Sequence, residues 1–255
     1  MSIKKRRSTP ELLPAGTGYG KQYWLDAAAQ FKDVKILVFA ALFIALRVLV
    51  KMPIFKIQVL PGLNFTLDCY VNAIGAMVCG PVVSFLSGAI SDTLGCILFP
   101  MAGQPYFPPF MLVEMLSSLI FGLFLWRRKI TVSRVLLSKL TVNVVCNLIV
   151  NPAIIKWQYY AMGAEGTVAA FINGVRIGKN LLLFPFEAAF IVLFISALFP
   201  LLRRVGVVPK DQAKPEFRVR HWLLVAIVTL ASFALVLFYW LFLKDFIAAH
   251  NFKFF

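Results

Sequence analysis

Apolar residues form seven long runs along this chain, separated by short polar or proline-containing segments. A helix needs about 20 apolar residues to cross about 30 Å of hydrocarbon, and the runs approach that length. The pattern therefore predicts an all-α membrane protein in which each run forms one span. The predicted spans are residues 34–50, 63–79, 81–99, 110–126, 132–155, 175–202 and 221–243. Pro152 is expected to interrupt the fifth span near its outer end, because proline removes a backbone donor.

The segments between the runs predict four parts. Residues 1–33 combine basic residues, proline and glycine with a short apolar and aromatic set that can form an interfacial helix. Residues 34–202 are predicted to form a six-helix membrane domain. A basic cytoplasmic linker, 203–220, leads to an additional C-terminal transmembrane helix and a short outside tail, 221–255.

Composition and charge support a membrane location. The chain is 60% hydrophobic and only 15% charged, with a mean hydropathy of +0.83. Its formal net charge is +15, but the basic residues lie between apolar runs and form no single patch, so we predict no nucleic-acid partner. Lysine and arginine are typical of cytoplasmic loops. Their distribution predicts a cytoplasmic N-terminus and places the proline-rich loop before residue 110 outside the cell, in a protein of a bacterial-type plasma membrane.

Motifs of catalysis, metal binding and nucleotide hydrolysis are missing from the sequence. The four cysteines lie in apolar segments without CxxC spacing, and they are interpreted as small core residues. No Walker A, HExxH or GxSxG sequence occurs. We therefore predict a non-enzymatic protein without metal or cofactor, whose energy source, if transport consumes energy, lies in another subunit.

Residues 89–110 place an acid inside an apolar run and end in a loop rich in proline and aromatic residues. Ser84, Gly88 and Asp92 recur every four residues, so they share a helix face. A carboxylate is costly in lipid unless it is paired, hydrated or protonated. Asp92 thus either contacts a ligand or makes a structural hydrogen bond or ion pair.

The first span carries Ala41 and Ala45 on one face, with Arg47 about 200° from Ala45 at about 100° per residue. Small residues four apart allow close helix contact. Arg47 either offers a cation to the bundle interior or extends to the outer headgroups.

Amides and cations recur in the fifth and sixth spans. Asn143, Asn147 and Asn151 share a face, and their amides suit either the edge of a heterocycle or contacts between helices. Arg176 and Asn180 also share a face, beside Lys179. Cations clustered in the outer half of the bundle suit an anionic ligand.

The polar residues of spans one, three, five and six share a similar depth, close to the aromatic residues of the loops. This coincidence predicts an outward-facing pocket. Its predicted lining is Arg47, Asp92, Gln104, Tyr106, Phe107, Asn147, Asn151, Trp157, Arg176, Lys179 and Asn180.

Four local patterns occur in order between about residues 40 and 200: ALFIALRV, a Gly80-Pro81 turn, SDTLGCILFP followed by PYFPPF, and RIGKNLLLFPFE. In this combination the chain resembles the substrate-binding S component of an energy-coupling factor (ECF) vitamin transporter, most similar to the folate family. The resemblance implies a six-helix bundle that captures a vitamin outside and delivers it for ATP-driven uptake. The implied partners are the vitamin, a shared transmembrane coupling subunit, two ATPase subunits and the lipid bilayer. It also implies that Ala41 and Ala45 contact the coupling subunit.

Two features differ from that family's pattern. The seventh span is additional, and its lack of charge within the membrane predicts a peripheral, lipid-facing helix. Asp68 and Asn72 make the second span more polar, which leaves another anionic or heterocyclic vitamin precursor open besides folate or a pterin-like compound. The alternative function is a self-sufficient ion-coupled carrier of such a molecule, in which Asp92 or Glu187 takes up protons.

Overall fold

The computed structural model contains a bundle of apolar helices. The structure describes residues 12, 18–55, 57–60, 63–65, 67–99, 107–163 and 174–209, together with the separate positions 223, 227, 230 and 234. Its helices are α1 (Lys21–Ala29), α2 (Val34–Val50), α3 (Asp68–Cys79), α4 (Pro81–Leu98), α5 (Met111–Leu125), α6 (Val132–Val142), α7 (Asn151–Ala161) and α8 (Gly174–Val205). The strands are β1 (Ile57–Leu60) and β2 (Leu63–Phe65). The all-α membrane fold is thus confirmed, with one short hairpin added.

Helix α2 coincides with the first predicted span. The Asp33 side chain caps it by accepting a hydrogen bond from the backbone N–H of Lys35, which satisfies one of the unpaired donors of the first turn. Arg47 is buried and Ala45 is exposed, as their opposite positions on the helix predict.

The second span begins later than predicted. Residues 63–65 form strand β2, which pairs antiparallel with β1 through Ile57 opposite Phe65, and α3 starts only at Asp68. The apolar residues of this hairpin contribute the same hydropathy signal as those of a helix, which explains the difference from the prediction. At about 1.5 Å per residue, the 12 residues of α3 extend only about 18 Å.

Helices α4 and α5 pack closely through glycine. A Cβ atom on Gly122 of α5 would lie 2.6 Å from the Cα atom of Pro81, and one on Gly88 of α4 would lie 2.8 Å from the Glu114 carbonyl oxygen. Gly80, between α3 and α4, has a φ of 84° and faces the indole of Trp126. These contacts fix the positions of the α4 and α5 polar residues.

The fifth span is not interrupted at Pro152, which corrects the prediction. Helix α6 continues through a π-helical segment, Asn143–Val150, into α7, so one 30-residue helical crossing covers Val132–Ala161. Pro152 lies in the first turn of α7. The wider hydrogen-bond spacing of a π segment, just before a residue that has no N–H to donate, allows the crossing to continue.

The core lies between α3, α5, α6 and α8. It contains Tyr70, Ile74, Phe121, Val135 and Ile191, each 2% exposed or less. Among the described residues, four helical segments are long and apolar enough to cross a membrane: Pro81–Leu98, Pro108–Leu125, Val132–Ala161 and Glu187–Val205.

The additional C-terminal span falls almost entirely outside the described residues. At positions 223, 227, 230 and 234 the backbone is helical, and Leu223, Ile227 and Leu230 are exposed. Of the predicted linker, residues 203–209 are described, and Val205 still belongs to α8. The boundaries of the four predicted parts stay predictions.

Candidate functional site

Arg47 lies at the centre of a buried group of charges contributed by α2, α3 and α5. Its guanidinium donates to both oxygens of Asp68, at 3.0 and 3.1 Å, and also to Glu114. Arg47 is only 2% exposed. The planar guanidinium can donate several hydrogen bonds at once, so it satisfies two carboxylates from two helices.

Hydroxyl and amide groups extend this cluster. Arg47 Nη1 donates to the Ser118 hydroxyl at 3.2 Å, and that hydroxyl donates to the Asn72 amide oxygen at 2.8 Å. The Asn72 amide nitrogen donates to Ser117 at 3.1 Å. Asp68 and Asn72, which made the second span unexpectedly polar, therefore have partners inside the bundle. Arg47, one of the predicted pocket residues, is therefore hydrogen-bonded to other side chains of the protein.

Asp92 of α4 forms a second ion pair, with Lys51, which directly follows the C-terminal end of α2. Lys51 Nζ lies 2.9 Å from Asp92 Oδ1. The other oxygen, Oδ2, is buried and has no hydrogen-bond partner in the described structure. An unpartnered buried acceptor is costly. Asp92 therefore makes the structural ion pair that its sequence position allowed and still offers one oxygen to a donor.

Three asparagines meet between the π-helical segment and α8. The Asn147 amide donates to Asn180 Oδ1 at 2.9 Å and to Asn143 Oδ1 at 3.2 Å, and Asn143 donates to the Asn180 backbone carbonyl at 3.4 Å. Asn143 is buried, whereas Asn147 and Asn180 are half-buried. π-Helical turns frequently occur at functional sites. Here the segment places two amides against α8.

Aromatic side chains cluster at one end of α7. Phe107 packs edge-on against Trp157, with ring centroids 5.6 Å apart, and against Phe110 at 6.0 Å. Trp157 is still 55% exposed, so part of its indole is open to a further contact. The structure thus brings together two of the predicted aromatic residues.

The remaining predicted lining residues can be placed only in part. Asn151 begins α7 and is half-buried. Arg176 and Lys179 lie in the first turns of α8, where only the backbone is described. Gln104 and Tyr106 lie outside the described residues. The predicted pocket therefore stays a prediction.

A further buried pair was not among the predicted site residues. Lys139 of α6 lies 2.8 Å from Glu187 of α8, and its ammonium also contacts Cys69 Sγ at 3.3 Å. Lys139 is 3% exposed. The sequence does show opposite charges inside two separate spans. It does not show which basic residue pairs with which acidic residue.

Ala41 and Ala45 lie on the outer surface of α2. Both are exposed, together with Val38 and Leu42, which are 63% and 58% exposed. Small residues between larger apolar ones form a shallow depression that another helix can approach closely. This face points away from the buried Arg47.

The described groups can supply several kinds of contact to a small molecule. They offer amide donors and acceptors, one unpartnered carboxylate oxygen, and an exposed indole face for stacking. The cations are paired with carboxylates inside the bundle. No group of three or more His, Cys, Asp or Glu side chains that could hold a metal occurs in the described part of the chain.

Comparisons with known proteins place these features in a family. The model of the ECF-type riboflavin transporter S component matches residues 31–184. The folate transporter FolT of Clostridium novyi (strain NT) is 30% identical over 163 residues, which cover 62% of this chain and 86% of that protein. The crystal structure of FolT bound with folic acid aligns with a TM-score of 0.51 at 28% identity, over 61% of this chain and 88% of that one.

Proposed function

Because this chain belongs to the family of S components of ECF-type transporters, we propose that it binds folate or a related pterin-like vitamin for ATP-driven uptake. The observation that carries the choice of vitamin is the alignment with the folate transporter over 86% of that protein's length. The fold similarity to FolT with folic acid supports the same choice.

Folate has a pterin ring with hydrogen-bonding edges, an aromatic linker and a glutamate tail with carboxylates. Amides of Asn147 and Asn180 and the unpartnered oxygen of Asp92 suit the pterin edge, since they include both donors and acceptors. The exposed indole of Trp157 suits stacking on an aromatic ring.

The glutamate tail needs cations. Arg176 and Lys179, four and one residues before Asn180 on α8, are the proposed partners of its carboxylates. Arg47 already holds Asp68 and Glu114, so it contributes directly only if ligand binding rearranges that cluster. Gln104, Tyr106, Phe107 and Asn151 complete the proposed lining.

The proposed partners are a transmembrane coupling subunit and two ATPase subunits, and the coupling subunit contacts α2 at Ala41 and Ala45. The exposure of both alanines on a membrane-spanning helix supports this contact. The proposed location is the bacterial plasma membrane with a cytoplasmic N-terminus, which the basic residues of the predicted inner loops support.

Tryptophan fluorescence of the purified protein tests the ligand. Titration with folic acid should give a saturable change that arises mainly from Trp157, the tryptophan of the proposed lining. Trp24 and Trp126 belong to the α1 end of the bundle, and Trp222 and Trp240 lie outside the described residues. Trp157→Phe should remove most of the signal, whereas Trp24→Phe should retain it. No saturable change, together with no competition against labelled folate, would exclude folate as the substrate.

Riboflavin is the second candidate, because the matching family model bears that vitamin's name. Riboflavin also has a heterocycle with hydrogen-bonding edges but no glutamate tail. Competition of unlabelled riboflavin and folic acid against labelled folate therefore separates the two. If riboflavin binds more tightly than folic acid, Arg176 and Lys179 have no carboxylate to hold, and the folate assignment fails.

A further inference from the structure

Helix α1 precedes residue 31, where the family match begins, and it packs on one end of the bundle. Its buried residues, Tyr23 and Ala27, join Trp126 in a small apolar cluster, with the Tyr23 and Trp126 rings edge-on at 5.3 Å. Burial raises the pKa of the Tyr23 phenol, so this side chain stays uncharged against the indole. One face of α1 is therefore fixed to the protein.

The two sides of α1 that flank its buried face differ in polarity. At about 100° per residue, Lys21, Trp24 and Ala28 lie within about 60° of one another, next to the buried face. All three are exposed, and Trp24 is 39% exposed. Gln22 and Asp26 lie on the other side of the buried face. Lys21, Trp24 and Ala28 form a stripe of one tryptophan and one small apolar residue, with a lysine at its edge. Such a stripe is typical of a helix at a membrane surface.

The apolar stripe continues onto the membrane-spanning part of the protein. Phe31, two residues beyond α1, is 37% exposed, and Val34, the first residue of α2, is 73% exposed. Val38 follows one turn later at 63%. At Val34, ahead of the proposed coupling-subunit contact at Ala41 and Ala45, acyl chains beside α2 would meet the stripe of α1 at its boundary. This continuity favours lipid over a soluble protein as the medium that covers the stripe.

Positive charge surrounds the stripe. Lys21, Lys32, Lys129 and Arg204 are all exposed at this end of the bundle. The two described acids nearby are already engaged: Asp26 lies 3.7 Å from Arg127, and Asp33 caps α2. Basic side chains beside a membrane surface attract anionic lipids electrostatically.

We propose that α1, with Lys21 and Lys32 flanking its exposed apolar stripe, is a docking surface for the headgroups of anionic phospholipids such as phosphatidylglycerol. The lysines contact the phosphates, while Trp24 and Phe31 lie at the level where headgroups meet acyl chains. This surface is separate from the proposed vitamin site and does not depend on the identity of the vitamin.

Native mass spectrometry of the full chain in detergent tests the proposal by titration with phosphatidylglycerol or phosphatidylcholine of the same acyl chains. Wild-type protein should retain phosphatidylglycerol more tightly. In Lys21→Gln/Lys32→Gln the affinity for phosphatidylglycerol should fall on the order of tenfold, with little change for phosphatidylcholine. Lys156→Gln is the control, since Lys156 is an exposed lysine on α7.

A second measurement is the unfolding temperature of the same variants. Phosphatidylglycerol should raise it in wild type, and the rise should shrink at high salt and in the double variant. The unfolding temperature in phosphatidylcholine reports that the variant is folded. Equal retention of the two lipids by wild type, unchanged phosphatidylglycerol binding by the double variant, or full displacement by soluble glycerol phosphate would overturn the proposal.

Discussion

Arg47 connects the helices α2, α3 and α5 through hydrogen bonds to Asp68, Glu114 and Ser118. A buried charge is tolerated only when opposite charges and hydrogen bonds compensate for the loss of water. The same cluster extends to Asn72, and Lys51, four residues after Arg47 in the chain, pairs with Asp92 of α4. At the residue scale, charge pairing therefore both stabilises the bundle and leaves one oxygen of Asp92 available.

Replacing Arg47 by methionine should destabilise the protein, because Asp68 and Glu114 would then lack their cation. Breaking a buried pair from one side costs about 3–5 kcal/mol, so the unfolding temperature in detergent should fall clearly. Arg204→Met, at an exposed position, is the matched control and should leave it unchanged. Equal unfolding temperatures for both variants would contradict the structural role of Arg47.

Asp92→Asn should weaken folate binding while it leaves assembly with the coupling subunit intact. The amide can still accept a hydrogen bond from Lys51, but the charge-assisted bond to the ligand is lost, which corresponds to about 1.5–3 kcal/mol or roughly tenfold or more in Kd. Labelled-folate binding measures the change. Asp26→Asn on α1 is the control, and unchanged affinity of Asp92→Asn would remove Asp92 from the site.

Close helix packing determines how the elements fit. Helices α4 and α5 approach through Gly88 and Gly122, and the crossing from α6 to α7 stays helical past Pro152 through a π-helical segment. These features position Glu114 on α5, Asp92 on α4 and Asn147 on the π segment. At the element scale, backbone proximity and helix type decide which polar groups face one another.

Gly122→Ala should destabilise the α4–α5 contact. The added methyl group would lie 2.6 Å from Pro81 Cα, a backbone atom that cannot move without displacing the start of α4. Overpacking of this kind typically costs about 1–3 kcal/mol. Gly20→Ala is the matched control, because no atom lies within 4 Å of its added Cβ. Thermal unfolding should separate the two variants, and similar unfolding temperatures would argue against tight α4–α5 packing.

Bulky residues on the exposed face of α2 should affect assembly and not ligand binding. Ala45→Trp would fill the depression beside Leu42 and keep a coupling subunit at a distance. Co-purification with the coupling subunit should be lost, while the Kd for folate should stay unchanged. Leu137→Trp, at an exposed and already bulky position on α6, is the control. Loss of folate binding in Ala45→Trp would contradict the separation of the two faces.

At the level of the complete chain, the described residues form a bundle of apolar helices. The full sequence has no Walker A motif, and the chain belongs to a family of transporter S components. Binding and energy supply are therefore expected to reside in different proteins. The additional C-terminal apolar run, 221–243, lies beyond the part of the chain that the family model matches.

Uptake by the whole assembly should require ATP. Proteoliposomes that contain this chain alone should not accumulate labelled folate under a proton gradient, whereas addition of the coupling subunit, the two ATPase subunits and ATP should allow it. An ATPase variant that binds but does not hydrolyse ATP is the control. Accumulation by the isolated chain would instead favour an ion-coupled carrier that uses Asp92 or Glu187.

Much of the fold was predictable because membrane helices follow from local composition. The runs 34–50 and 81–99 agree with α2 and α4 within one residue at each end. The predicted start of the second span, residue 63, was wrong, because the apolar residues of a short hairpin contribute to the same hydropathy signal as those of a helix. The sequence also did not predict that the helix continues past Pro152, because the effect of one proline depends on the hydrogen bonding of the preceding turn.

The sequence by itself determined the membrane environment, the helical class and the identity of the polar residues inside the spans, because burial in lipid forces backbone hydrogen bonds into helices and makes each charge exceptional. Only the tertiary structure decided that Arg47 holds Asp68 and Glu114, that Lys51 holds Asp92, and that Asn147 meets Asn180. These partners lie 21 to 67 residues apart in the chain, so their pairing depends on helix packing and rotation.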